Sequence, residues 1–412
     1  MAAYSRCTGA DCYLAAFEKS AVFESAIRDP SYASWKPPGE LWKTIEAGGQ
    51  TCEIWKGNLA DLAVQQMVKR IQIFIPLFIE GGTFIDLDEP QWSLERWTVF
   101  FLYQKSTQTA PALSPYSFMG YSTVYRYFFY RPISPPTTPT GRKQPIKHPA
   151  TLDFEPSTLE KVPFSALPCR SRISQFVILP PFQNGGNGSR FYNAIFEFYS
   201  HEPQTIEITV EDPNVDFDDL RDINDLTYLR SLPEFASLRI NTKATFRSKG
   251  PSPRDIIDLD AVEKLRTQVK IAPRQFHRVV EMQLLSFIPL GIRQSLIEER
   301  LKLTGEELKA KKNEYHLWQL FVKKRLYRHN KDTLIQLDRV ERIDKLEDAL
   351  GSVEADYARL LRAADKRSGV IVAERNGNGV TNGSGTAKRS SPDDAAEAGE
   401  EPSAKKVKFA AA

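Results

Sequence analysis

Cysteine and histidine are scarce in this chain. Its 412 residues hold four cysteines (Cys7, Cys12, Cys52 and Cys169) and five scattered histidines. No CxxC pair occurs and no cluster has metal-ligand spacing, so neither a disulfide scaffold nor a zinc centre is expected, and a reducing compartment is. Long apolar runs are missing as well. No stretch approaches the ~20 residues of a membrane span, and the start Met1-Ala2-Ala3-Tyr4-Ser5-Arg6-Cys7 lacks the apolar core of a secretory signal. A soluble, intracellular protein with no membrane partner is expected. Strong net charge is absent too: at +3 the chain is no polycation, and direct binding of nucleic acid is not expected.

What charge there is lies unevenly. Glu207 to Asp225 holds eight acids and one base, whereas Arg293 to Lys331 holds eleven Lys/Arg against five Glu. One surface should attract cations and another anions. Apolar content of 41% suffices for a core, and the length allows two or three domains.

The most informative stretch is Arg172–Tyr199. An apolar strand, Ile173-Ser174-Gln175-Phe176-Val177-Ile178-Leu179, leads through two prolines into Gln183-Asn184-Gly185-Gly186-Asn187-Gly188. The spacing of Phe191, Ile195, Phe198 and Tyr199 then predicts a helix from Ser189. A glycine loop between strand and helix turns unpaired N–H groups toward the helix's positive end, a seat for pyrophosphate. A Walker A loop is disfavoured, because Ser189 and Arg190 follow where Lys and Ser/Thr belong. A dinucleotide loop is weakened by Phe191 at the third glycine, though Glu207 and Glu211 lie near the ribose-binding distance. A plain Gly/Asn turn also stays open. The third phosphate pattern, Q/R-x-x-G-x-G, is met by Gln183–Gly188 and resembles the acetyl-CoA loop of GNAT acetyltransferases.

Strands are expected at Trp97–Tyr103, Gly120–Tyr130, Arg172–Leu179 and Thr205–Val210, and a helix at Asn58–Ile79 capped by Asn58 or Asp61. Strand–loop–helix–strand over Arg172–Val210 reads as a βαβ-like unit, hence an α/β core. Residues 131–170, with nine prolines, read as a surface insertion. Pro253–Ala363 turns helical; the stripe Leu334, Leu337, Val340, Ile343, Leu346, Leu350 is expected to be ordinary helix packing rather than a dimeric coiled coil. The expected organisation is a shortened N-terminal segment (1–50), a core (51–230), a helical domain (231–366) and a disordered tail (367–412). In that tail Lys388-Arg389 and Pro402–Lys408 look like a bipartite nuclear import signal.

Ile206-Glu207-Ile208-Thr209-Val210-Glu211-Asp212-Pro213 alternates and ends in two acids. Upstream stand Phe78–Asp86 and Gly120–Tyr127; downstream stands Val269–Glu281. In this order the segments, spanning roughly Lys36 to Leu361, resemble the catalytic subunit of a type B histone acetyltransferase, most like a fungal one. The resemblance implies a GNAT fold with a mixed central sheet. It implies acetyl transfer from acetyl-CoA to a lysine of newly made histone H4, with Glu211 as general base and Asp212 and Glu80 in support. By the same resemblance the pantetheine arm pairs with Phe176, Val177 and Ile178. Gln183, Asn184, Gly185, Gly186, Asn187, Gly188 and Ser189 hold the pyrophosphate, and Asn214 touches the cofactor from the facing side. Asn184 and Asn187 depart from the Gly and His common in relatives. Gly188→Val is expected to crowd the pyrophosphate. Tyr125, Arg126 and Tyr127 align with a peptide-contact strand, the tyrosines reading equally well as packed core. The partners implied are histone H4 with H3 and a WD40 β-propeller chaperone; the places implied are nucleus and cytoplasm, with roles in DNA repair and telomeric silencing. No metal is implied. The resemblance also implies a longer N-terminal domain, one wall of a peptide groove, than the fifty residues preceding Thr51. Two rival readings are a GNAT enzyme for another basic protein and a nonenzymatic chromatin or chaperone subunit whose basic helices bind DNA or proteins.

Overall fold

The computed structural model describes residues 34–106, 114–128, 164, 167–244, 256–293 and 305–367. The greater part of the proline-rich insertion and both basic clusters of the tail lie outside these residues.

Among the described residues one six-stranded sheet runs in sequence order: β1 (Glu40–Ala47), β2 (Gln50–Asn58), β3 (Trp97–Lys105), β4 (Tyr116–Phe128), β5 (Cys169–Ile178) and β6 (Thr205–Val210). The first five are antiparallel neighbours and β6 joins β5 in parallel, so the sheet is mixed and the fold α/β, as expected. β1 and β2 have no counterpart among the predicted strands. Their signal was the turn rather than the strands: Gly48 (φ 60°) and Gly49 (φ 74°) form the two-residue loop in which both residues need positive φ.

Helix α1 (Leu62–Ile71) is capped by Asp61, whose carboxylate accepts from Ala63 N at 2.8 Å. It buries Val64, Met67, Val68 and Ile71, while Leu62 faces solvent. The expected helix to Ile79 does not run through: Pro76 has no N–H to give, and the chain breaks into short turns at Gln72–Phe74 and Ile75–Phe78. Helix α2 (Asn187–His201) crosses between β5 and β6 and buries Phe191, Tyr192, Ile195 and Tyr199. It begins two residues before the predicted Ser189. Helix α3 (Val215–Arg230) follows β6.

Four more long helices were legible as helical: of these α4 (Leu259–Val269) and α5 (Pro273–Ser286) precede α6 (Gly305–His329) and α7 (Arg339–Arg367). They share one core with the sheet, in which Phe100, Ile173 and Ile208 meet Phe276, Trp318 and Tyr357. Ile208 N donates to Lys270 O at 2.7 Å, which ties the segment between α4 and α5 to β6. The leucine stripe divides. Leu334 and Leu350 are buried and Leu346 partly so, but Val340 and Ile343 are exposed.

The acid-rich stretch is spent largely on packing. Asp222 and Asp225 of α3 are buried. Asp222 receives Arg278 Nε at 2.6 Å, and Asp225 receives Tyr192 Oη at 2.8 Å and Gln275 Nε2 at 2.9 Å. Asp219 pairs with Arg359 of α7 at 2.7 Å. Burial raises the Asp222 carboxyl and pushes that of Asp225 up to about 6. These carboxylates hold the C-terminal helices to α3 and are not free to draw in a cationic ligand.

Candidate active site

The site begins where β5 and β6 part. Their pairing ends at Ile173↔Val210, and Glu211 N donates to Ile173 O at 2.8 Å. Among the described residues β5 then continues to Ile178 with no strand but β4 beside it, so Ser174–Ile178 form a strand edge on which Gln183 takes the Ile178 carbonyl. Phe176 turns its ring into the core against Phe191 and Phe217, and Val177 and Ile178 are buried. What this edge offers a ligand is backbone.

Glu211 stands at the fork, directly after β6. Its carboxylate is held from two strands. Tyr125 Oη of β4 donates to Oε1 at 3.0 Å, and Ser174 Oγ of β5 donates to Oε2 at 2.6 Å. Arg172 Nη1 donates to the Tyr125 oxygen at 3.1 Å and stands 3.7 Å from Oε1. Burial pushes the Tyr125 phenol up, which keeps it a donor. Glu211 is still 37% exposed, so a carboxylate with fixed geometry remains open to the cleft. Asp212 is exposed and adopts φ 37°, a left-handed turn that Asp tolerates and that swings the chain toward Pro213. Glu80 is exposed on the loop after the short helices; three residues on, Thr83 O accepts from Gln175 Nε2 at 3.1 Å, fixing that loop to β5. Of the three acids, the hydrogen bonds engage Glu211 alone with the strands.

The glycine loop closes the other end of the open edge. Pro180–Phe182 form a 3-10 turn, Gln183 Nε2 donates back to Ile178 O at 2.7 Å, and Asn184 sits at φ 62°, a position that suits Gly and that Asn tolerates. Gly186 caps α2 at φ 76° with no side-chain cap, so the first-turn N–H groups have no capping side chain. Asn187 and Gly188 belong to that turn rather than to the loop. Asn187 Nδ2 braces Phe182 O at 2.8 Å, and Ser189 Oγ accepts from Asn224 Nδ2 at 3.1 Å. Arg190 folds over the loop, donating to Gly185 O at 2.6 Å and Asn187 Oδ1 at 2.8 Å, and adds a positive charge there. Asn214 caps α3 through Phe217 N at 2.9 Å.

On β4, Tyr125 and Tyr127 share a face and Arg126 points to the other. Tyr125 packs on Trp97 (centroids 4.7 Å apart) and is half-buried, whereas Tyr127 is 54% exposed. Thus Tyr125 belongs with Glu211. Sequence reasoning gave no role to Arg172, Ser174 or Arg190. The signal for Ser174 was two polar residues in succession, Ser174-Gln175, inside an alternating strand.

A forked mixed sheet with a glycine loop at one end and a fixed carboxylate at the other suits an acetyltransferase, and similarity agrees. Residues 10–80 match the family model described as histone acetyl transferase HAT1 N-terminus, and residues 239–287 match that of fungal HAT1, C-terminal. The chain is 45% identical over 359 residues to the histone acetyltransferase type B catalytic subunit of Gibberella zeae, covering 85% of this chain and 72% of that one. It is 45% identical over 354 residues to the same subunit of Pyricularia oryzae (86% and 72% covered) and 41% over 378 residues to that of Neurospora crassa (87% and 72%). The chain belongs to the family of type B histone acetyltransferase catalytic subunits. The match from residue 10 carries the likeness further toward the N-terminus than Lys36.

Proposed function

We propose that this chain acetylates a lysine of newly synthesised histone H4, presented with H3, using acetyl-CoA and Glu211 as general base. The observation that carries the reading is the Glu211 carboxylate fixed at the fork of β5 and β6, next to the edge of β5 that β6 leaves uncovered from Ser174 on. That edge and the first turn of α2 fit the cosubstrate: an extended arm would add to Ser174–Ile178 as a strand, and the pyrophosphate would lie on Gln183–Ser189 with Arg190 beside it. Acetyl-CoA supplies the activated acyl group.

The chain's own task is the proton. A lysine amine is roughly 4–5 kcal/mol from its nucleophilic form at neutral pH. A positioned carboxylate that takes the proton is typically worth about 10²–10⁴ in rate. Glu211 fills that role, with Asp212 and Glu80 adding negative charge for a basic peptide. An N–H of β5 near Phe176 would meet the charge that grows on the thioester oxygen. Tyr125 and Tyr127 face the peptide from β4, and Arg126 lies behind them. A WD40 chaperone as partner, import through the C-terminal basic clusters, and residence in nucleus and cytoplasm complete the proposal. A second basic protein as acceptor is the nearest rival.

The test is incubation with labelled acetyl-CoA and an H4 tail peptide, wild type beside Glu211→Gln. Label on the peptide with wild type and none with the variant supports the reading. Cofactor binding without turnover points to another acceptor, and absence of both removes the enzyme.

A further inference from the structure

Alternation along β5 slips by one at Ser174. Ile173 packs in the core shared with α2, and so does Phe176, three positions on, where a regular strand would return at Gln175. The register with β4 gives the cause. Thr123 pairs with Gln175 and Val124 with Ile173, so Ser174 is an inserted, unpaired residue of a β-bulge. Ser174 and Gln175 therefore both look away from α2. Gln175 uses its amide on Thr83 O, and Ser174 puts its hydroxyl 2.6 Å from Glu211 Oε2.

The opposite oxygen, Oε1, is held by Tyr125 Oη at 3.0 Å, itself held by Arg172 at 3.1 Å. A glutamate has three torsions to fix, and one donor leaves its carboxylate free to swing about the Oε1 contact. A second donor on Oε2 removes that swing. We propose that Ser174, the inserted residue of the β5 bulge, is a positioning residue that orients the Glu211 carboxylate for proton removal from the acceptor amine. The proposal rests on Glu211 being the base. The charged and titratable groups that face Glu211 are Arg172, Tyr125 and the adjoining Asp212.

Steady-state kinetics of full-length Ser174→Ala, Ser174→Thr and Glu211→Gln, with acetyl-CoA and an H4 tail peptide over about pH 6 to 9, test it. Calorimetry with acetyl-CoA and thermal melts check binding and folding. Ser174→Ala should lose about tenfold in kcat, with peptide KM and acetyl-CoA affinity within about twofold. Its acid limb of kcat should move to higher pH, because the ionised base has lost a donor. Ser174→Thr keeps the hydroxyl and should restore both. Wild-type kcat in Ser174→Ala, or a loss of kcat with the acid limb unmoved, overturns the proposal. If Glu211→Gln keeps wild-type turnover, the base assignment fails by itself. An inert Glu211→Gln beside an unaffected Ser174→Ala removes only the role of Ser174.

Discussion

Gly188, second residue of α2, lies against Leu220 of α3: a Cβ placed on Gly188 would stand 2.9 Å from Leu220 Cδ1. The missing side chain leaves room for the tip of Leu220 beside the Gln183–Gly188 loop. Gly188→Val should therefore act first on packing. A melting temperature lowered by a few degrees, from roughly 1–3 kcal/mol of overpacking, should accompany weaker acetyl-CoA binding. Adding Leu220→Ala should recover part of the stability. An unchanged melt with lost affinity would return the effect to the pyrophosphate itself.

Tyr125→Phe keeps the ring packing on Trp97 and removes only the hydroxyl shared by Glu211 and Arg172. One charge-assisted hydrogen bond is worth roughly 1.5–3 kcal/mol, so a fall in kcat of about ten- to a hundredfold is expected, with acetyl-CoA affinity retained. A variant as fast as wild type would show that the Tyr125–Glu211 bond does not bear on the reaction.

Much of this site could be read from residue order. The loop Gln183–Gly188, the strand ending in Glu211 and the aromatic strand through Tyr125 were all legible, because periodicity and glycine placement are local. The partners of Glu211 were not. Ser174 reaches it only through a bulge, a misalignment between two strands, and Tyr125 lies 86 residues away in sequence. The acids of Glu207–Asp225 misled for the same reason. Composition counts charge, but Arg278 and Arg359, which neutralise Asp222 and Asp219, come from helices far down the chain. β1 escaped because none of its residues is fully buried and only Trp42 and Ile45 pack on the core, which leaves little apolar alternation; the Gly48-Gly49 turn marked it.

Deleting residues 388–412 removes both basic clusters and no part of the described site. Acetyl transfer should stay at the wild-type level, and a fluorescent fusion should shift from nucleus to cytoplasm. An unaltered distribution would count against import through this tail.

Glu281 of α5 is fully buried and accepts Arg325 Nε at 2.6 Å, Arg325 Nη2 at 2.8 Å and Tyr357 Oη at 2.9 Å. It links α5, α6 and α7 at one point. Arg325→Met would leave the buried Glu281 carboxylate without its guanidinium, with the Tyr357 hydroxyl still donating to it. A loss of roughly 3 kcal/mol is expected by denaturant unfolding. Arg325→Met combined with Glu281→Leu should be milder than Arg325→Met alone, since no charge is then stranded. If the double variant is the worse of the two, the pair stabilises by more than compensating its own burial.

Asp225 gives a pH dependence whose sign can be stated. Burial raises its carboxyl from 3.8 to about 6, with Arg221, Tyr192 and Gln275 only partly offsetting the loss of water. The folded chain therefore binds this proton more tightly than the unfolded one. The stabilisation is complete below about pH 4 and is lost as pH rises through about 6. Asp225→Asn cannot take part in that exchange. Subtracting the variant from wild type isolates the residue from every other carboxylate. The difference should fall by about 1 kcal/mol between pH 5 and pH 7, or about 2 °C in melting temperature. Parallel melting curves at the two pH values would mean that Arg221 keeps Asp225 ionised throughout. A difference that grows with pH would require its carboxyl to lie below the usual value, opposite to the burial effect.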